Sequence, residues 1–316
     1  MPLPSVAIII PTYKRPEMLK RCLKQLIPYV SVHAECSITI SDNGDAEETR
    51  QLLGESPDFV RVVQGPRRGP ASNRNCGASH STGDLLIFLD DDCIPDFDLI
   101  AAYQEASQRH PDTGVFEGRI SAEGTVTGFA DAIPTNETGG YLWACNFAIR
   151  RELFEEIAGF DERFPFTVED VDLHFRVKRR STVLFLPDAR VWHRPETRRG
   201  WSIVKHHTLC LLLFLHIHGL EAAEKKPSFF ARMAVRTFLF RGWQLLRAGA
   251  TKNPEQLIYQ CWACLQLTLI LSFWKIHPYI ARRFYPPCCL GCQSIHDSLE
   301  TAPCPAIFPQ DNSVSH

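Results

Sequence analysis

Residues 85–96 read LLIFLDDDCIPD, five apolar residues running straight into Asp90, Asp91 and Asp92. An unbroken apolar run of this length predicts a strand covered on both faces, as in a parallel sheet. Three adjacent carboxylates repel one another, and an ordinary solvated acidic turn needs no buried strand in front of it. Along an extended chain successive side chains alternate, so Asp90 and Asp92 are expected on one side and Asp91 on the other. Two carboxylates converging at a strand end suit a divalent cation, Mg²⁺ or Mn²⁺, which cancels their repulsion and can hold a diphosphate.

Working toward the N-terminus, VRVV (60–63), SITIS (37–41) and VAIII (6–10) are further short apolar strands. PEMLKRCLKQLI (16–27) has helical spacing with proline at its first turn. RRGPASNRNCGASHSTGD (67–84) reads as a loop leading into a helix. Strands alternating with helices predict an α/β fold with a mostly parallel sheet. Three strands end in polar clusters: PTYKR (11–15), SDNGD (41–45) and DDDCIPD (90–96). In open parallel sheets ligands bind outside the carboxyl ends of the strands, so the three clusters are expected to line one crevice.

Toward the C-terminus, EDVDLHFR (169–176) opens a helix with Glu169, Asp170 and Asp172. Acidic residues in a first turn often only complement the helix dipole. Here GFDERFPFTVED (159–170) places a glycine turn and an aromatic loop ahead of them, which presents a carboxylate at a pocket rim. A carboxylate so placed can take a proton from a hydroxyl.

The chain has 316 residues, 45% of them apolar, and a formal net charge of −2. That balance excludes a general attraction to nucleic acid or anionic lipid. The twelve cysteines are scattered, unlike a disulfide scaffold. The first apolar run is five residues long and is broken by Pro11, so no signal peptide is read and the compartment is expected to be reducing cytosol. Beyond about residue 200 the segments 208–220, 229–249 and 257–274 read as long apolar or amphipathic helices. The last of these is open to three readings: a buried tail helix, an interfacial helix or a transmembrane span. Tryptophans and basic residues among these helices predict peripheral association with the inner face of a membrane. The Cys- and Pro-rich end (286–316) reads as a disordered tail, with zinc ligation or S-acylation of Cys288, Cys289, Cys292 and Cys304 as alternatives.

Four segments together resemble the family 2 glycosyltransferases, inverting enzymes of the GT-A fold. They are VAIIIPTYKRPEMLKRCLKQL (6–26), ISDNGDAEET (40–49), the stretch from RRGPASNRNCG to DDDCIPD (67–96) and WACNFAIRRELFEEIAGFDERFPFTVEDVDLHFRVKR (143–179). The resemblance covers roughly residues 5 to 195, about 60% of the chain. It implies a GT-A type, Rossmann-like, mostly parallel mixed sheet flanked by helices over 1–198. A helical, membrane-associated extension (199–285) and the tail (286–316) would follow.

By the same resemblance Pro11, Thr12, Tyr13 and Arg15 line the nucleotide, and Asp42 hydrogen-bonds a uracil or thymine imide. Arg74 approaches the phosphates, and Asp90 and Asp91 face the donor. Asp92, with Asp90 and His193, holds Mg²⁺ or Mn²⁺, while Asp170 is the base supported by Glu169 and Asp172. Ala144-Cys145-Asn146 stands where small glycine-rich residues are usual, and Cys145 is expected to be a packing residue. The implied partners are a nucleotide-sugar donor and a glycan or lipid-linked acceptor.

Three rivals fit less well. A haloacid-dehalogenase-like phosphatase expects its Asp-x-Asp on the first strand, with Thr or Val where Ile94 stands. A sugar-phosphate nucleotidyltransferase opens with a glycine-rich loop, and PTYKRP (11–16) has no glycine. A non-catalytic nucleotide-binding scaffold has no need of both Asp92 and Asp170.

Overall fold

The computed structural model of the chain describes residues 3–124, 131–132, 134–194 and 196–197, together with Cys210, Leu213, Phe214, Ile217 and His218. The elements run β1 (Val6–Thr12), α1 (Pro16–Val30), β2 (Cys36–Asp42), α2 (Ala46–Leu53), β3 (Val60–Gln64), α3 (Pro70–Ser79), β4 (Leu85–Leu89), β5 (Cys93–Pro95) and α4 (Leu99–Arg109). They continue with β6 (Val115–Ala122), β7 (Asp131–Ala132), β8 (Asn146–Arg150), α5 (Arg151–Glu156), α6 (Glu169–Val177), β9 (Val183–His193) and β10 (Glu196–Thr197). Eight strands form one sheet in the order β3-β2-β1-β4-β8-β6-β9-β5, and β7 pairs with β10. The half from β3 to β4 is wholly parallel. β8 runs antiparallel to both its neighbours, and β5 antiparallel to β9. The architecture is the mixed α/β sheet with flanking helices that the strand–helix alternation predicts.

The apolar runs carry no polar interruption because both faces are covered. In β1, Val6, Ile8 and Ile10 join a core with Leu19, Cys22, Leu23 and Leu26 of α1 and Leu99, Ile100 and Tyr103 of α4. Ala7 and Ile9 point the other way, into a core with residues of α3, α5 and α6. β4 divides likewise: Phe88 belongs to the second core, where it stacks on Phe147 at 5.0 Å and meets Phe160 edge-on at 5.3 Å. α1 buries positions spaced three and four apart, the stripe its sequence predicts.

Cys210, Leu213, Phe214, Ile217 and His218 are helical, at offsets of 0, 3, 4, 7 and 8 residues. This face packs on Phe164, Val168 and Phe175. His218 Nε2 also lies 2.7 Å from Asp172 Oδ1, both groups being buried. His218→Ala is therefore expected to lower stability by about 1–3 kcal/mol, because a buried carboxylate oxygen loses its donor. Urea midpoints check this, and an unchanged midpoint would count against docking through this pair. The segment 257–274 and the four C-terminal cysteines lie outside the described residues. Among the described residues no helix is long and apolar enough to cross a membrane.

Candidate active site

β1, β2 and β4 are mutually parallel through β1, and Thr12 stands in register with Asp42. The three polar clusters therefore share one edge of the sheet. β4 ends at Leu89, and residues 90–92 form a turn in which the Cys93 N–H donates to the Asp90 carbonyl at 3.2 Å. That turn corrects the alternation expected of an extended strand. Asp90 reaches toward α3, where Arg74 Nη2 donates to it at 2.6 Å. Asp91 and Asp92 instead share Arg15, whose Nη1 is 3.5 Å and 3.0 Å from them. Asp91 also accepts from the Thr12 hydroxyl at 2.7 Å. Burial pushes the Asp91 carboxyl up to about 6, opposed by Thr12 and Arg15 and reinforced by Asp90.

The second oxygen of Asp92 faces His193, with Oδ1 and Nε2 3.5 Å apart and both side chains 4% exposed. His193 arrives there because it pairs with Cys93 across β9 and β5. Its Nδ1 lies 2.7 Å from the Arg194 carbonyl, which can only accept, so that nitrogen carries the proton. In the neutral ring the Nε2 lone pair then points at a carboxylate oxygen. Two buried acceptors facing one another are a donor set for a divalent cation, and a carbonyl fixing the far side of the imidazole is the usual support. The residues present thus fit Mg²⁺ or Mn²⁺.

α3 supplies a set of contacts that the sequence reading did not isolate. Asn73, Arg74 and Asn75 are successive residues whose side chains fan out by about 100° each. Asn73 Oδ1 accepts from Ser41 Oγ at 2.5 Å and its Nδ2 donates to the Thr12 carbonyl at 3.4 Å, tying the ends of β1 and β2. Asn75 exchanges two hydrogen bonds with the backbone of Phe160, each 2.9 Å. Arg74, expected to approach the donor phosphates, is instead enclosed between Asp90 and Glu169, the latter at 2.9 Å, and lies over the Phe160 ring. A buried polar run must find partners. That was the available signal: three consecutive polar residues where a helix covers a sheet.

Asp42 sits at the end of β2, buried, with both oxygens engaged. One accepts from the Gly44 N–H at 2.6 Å and the other from the Thr49 hydroxyl at 2.6 Å. It therefore fixes its own turn against α2. Tyr13 is 55% exposed at the rim, with Pro11 and Thr12 behind it.

α6 begins after Val168, a β-branched residue at φ 74°, a strained left-handed conformation of the kind found at functional turns. Its three acidic residues separate cleanly. Glu169 is buried against Arg74. Asp172, expected to support the base, is fully buried and accepts from Arg176 Nε at 2.8 Å and from His218, so it anchors the helix from behind. Asp170 is half-buried and, among the described residues, accepts one hydrogen bond, from the Val171 N–H at 2.8 Å. Burial and then the neighbouring Glu169 push its carboxyl up to about 7, with Arg74 opposing. Arg74 joins Asp90 to Glu169, the neighbour of Asp170, and so couples the acidic turn to the start of α6.

A family model, Glycosyl transferase family 2, matches residues 7–158. That match stops short of Asp170 and His193, whose placement rests on the structure. The succinoglycan biosynthesis protein ExoM of Rhizobium meliloti is 34% identical over 263 residues, covering 72% of this chain and 83% of that protein. The O-antigen biosynthesis protein RfbC of Myxococcus xanthus is 29% identical over 232 residues, and the chain spans 18% of its length. Among solved structures, the mannosyltransferase PcManGT from Pyrobaculum calidifontis, in complex with GDP-Man and Mn²⁺, shares the fold at a TM-score of 0.52 and 18% identity, covering 87% of each chain.

Proposed function

The chain belongs to glycosyl transferase family 2, and from that premise we propose that it moves a sugar from a nucleoside-diphosphate donor to an acceptor hydroxyl with inversion. The observation that supports the reading is Arg74, which joins Asp90 of the acidic turn to Glu169, the neighbour of Asp170 at the start of α6. Asp170 takes the proton of the acceptor hydroxyl. The freed oxygen forms a bond to the anomeric carbon from the face opposite the diphosphate. The bond to the diphosphate oxygen breaks and its electron pair leaves with that oxygen. Asp92 and His193 would hold Mg²⁺ or Mn²⁺, which when bound would supply positive charge to the departing diphosphate; Asp90, expected to share that ion, is turned toward Arg74 instead. Arg15 and Arg74 keep the three aspartates in place, and Glu169 orients the start of α6 through Arg74.

Pro11, Thr12 and Tyr13 are assigned to the nucleoside. A UDP- or dTDP-sugar is favoured through Asp42, because each of its oxygens accepts one hydrogen bond and keeps a second lone pair for an imide N–H. The complex of PcManGT with GDP-Man and Mn²⁺ supports a metal-assisted sugar nucleotide on this fold. Relatives named for succinoglycan and O-antigen biosynthesis support a polysaccharide or lipid-linked acceptor. An acceptor of that kind fits peripheral attachment at a membrane surface, supported by the tryptophans and basic residues within 199–285. Flotation of the full chain with anionic liposomes checks the attachment, and a protein left at the bottom of the gradient contradicts it.

Thermal-shift titration with UDP-, dTDP- and GDP-sugars, each with and without Mn²⁺, tests the donor class. Mn²⁺-dependent stabilisation by a uridine or thymidine sugar is expected. No stabilisation by any sugar nucleotide would contradict the reading, and a response confined to GDP-sugars would overturn the base assignment.

A further inference from the structure

The Asp92–His193 pair has two sulfurs beside it. Cys93 opens β5 directly after the acidic turn and is the cross-strand partner of His193. Cys145 arrives from another direction, immediately ahead of β8, whose Asn146 pairs with Leu89. The two sulfurs and a ring nitrogen of His193 lie within 4.8 Å of one another. All three residues are buried, at 1%, 4% and 3% exposure, and both thiols are free. Packing alone explains one small buried cysteine in a core. Two thiols beside an imidazole whose Nδ1 is already fixed by a carbonyl make a soft donor set on three separate segments.

We propose that Cys93, Cys145 and His193 form a binding site for a thiophilic divalent ion, zinc by ligand preference, fused to the carboxylate site through the shared imidazole. Tetrahedral zinc takes sulfur at about 2.3 Å and nitrogen or oxygen at about 2.0–2.1 Å, so its ligand atoms stand roughly 3.3–3.8 Å apart. Asp92 Oδ1, 3.5 Å from His193 Nε2, stands beside this three-ligand set on the imidazole side. Binding is a plain substitution: each thiol releases its proton to solvent as the sulfur takes the ion, and nothing is oxidised or reduced. Magnesium and manganese, which prefer oxygen and nitrogen, gain little from the sulfurs. Zinc draws the same imidazole to the sulfur side, so the two kinds of ion exclude one another. This exclusion rests on the cation reading given above, whereas the sulfur site itself does not.

Cobalt(II) titration of the reduced full-length chain tests the site, because thiolate ligation gives a charge-transfer band in the near ultraviolet. The other cysteines contribute alike to parent and variant, so the difference isolates the pair. In Cys93→Ser/Cys145→Ser the band is expected to fall measurably. Zinc affinity, measured against a chromophoric chelator, is expected to weaken tenfold or more. Equal bands and equal zinc affinities in the two proteins would overturn the proposal. Cys145→Ala, a smaller change in the same packing, gives the same comparison should the double variant not fold.

Manganese binding, followed by electron paramagnetic resonance, then reads the fusion. Zinc should displace manganese from the parent chain, and the double variant should retain manganese at the same zinc concentration. Manganese unaffected by zinc in the parent overturns the sharing of His193. A thiolate–cobalt band that is lost in the variant, with no manganese bound by either protein, would support the sulfur site while counting against the manganese reading.

Discussion

Asp170→Asn is expected to leave donor affinity near that of the parent chain while lowering turnover by roughly two to four orders of magnitude, the range for a lost general base. The structure separates Asp170 from its neighbours by what each already holds. Glu169 is engaged by Arg74, and Asp172 by Arg176 and His218. Asp170, among the described residues, accepts only from the Val171 N–H. A base works only when deprotonated, and burial with Glu169 pushes this carboxyl up to about 7 in the free protein. The rate at low substrate concentration should therefore fall as pH drops through that value, about tenfold per unit below it, and level off above. Calorimetry with the donor and steady-state turnover measure the two halves. If Asp172→Asn instead abolished turnover with stability unchanged, the base would be misassigned. Asp172→Asn is expected to cost stability first, because it weakens a buried ion pair behind the helix.

Asp92→Ala carries the second large effect. It removes the carboxylate that faces His193 and that also accepts from Arg15. Outer partners of metal ligands typically contribute about 10- to 100-fold in affinity, so loss of the ligand itself should weaken Mn²⁺ by at least about 100-fold. Mn²⁺-dependent donor binding should be lost with it. Asp91→Ala is expected to be milder, since Asp91 accepts from Thr12 and Arg15 and has no contact with His193 among the described residues. Equal losses in a calorimetric titration of the two variants would contradict this division.

The sheet was legible because burial on both faces leaves VAIII and LLIFL without a polar residue. The common edge of the three polar clusters was legible because parallel strands must end on one side of the sheet. The division of labour among the carboxylates was not. It turns on contacts such as Arg74 to Glu169 and Asp172 to His218, which join residues 95 and 46 positions apart, beyond any local pattern. One signal was there to be read. Glu169, Asp172, Leu173 and Val177 are the buried residues of α6, at offsets of 0, 3, 4 and 8. Helical spacing alone therefore puts Asp172 on the inner stripe and leaves Asp170 outside it. The alternation assigned to Asp90–Asp92 failed for a local reason: one backbone hydrogen bond closes a turn where an extended strand was assumed. Cys145, expected to pack only, lies beside a second sulfur that is distant in sequence.

The most direct measurement is the anomeric configuration of the product, followed by proton NMR while the full-length chain turns over a donor whose sugar is α-linked to its diphosphate. Metal-dependent release of the nucleoside diphosphate with a β-linked product is the predicted result. An α-linked product, or sugar release that does not need a divalent cation, would contradict the account.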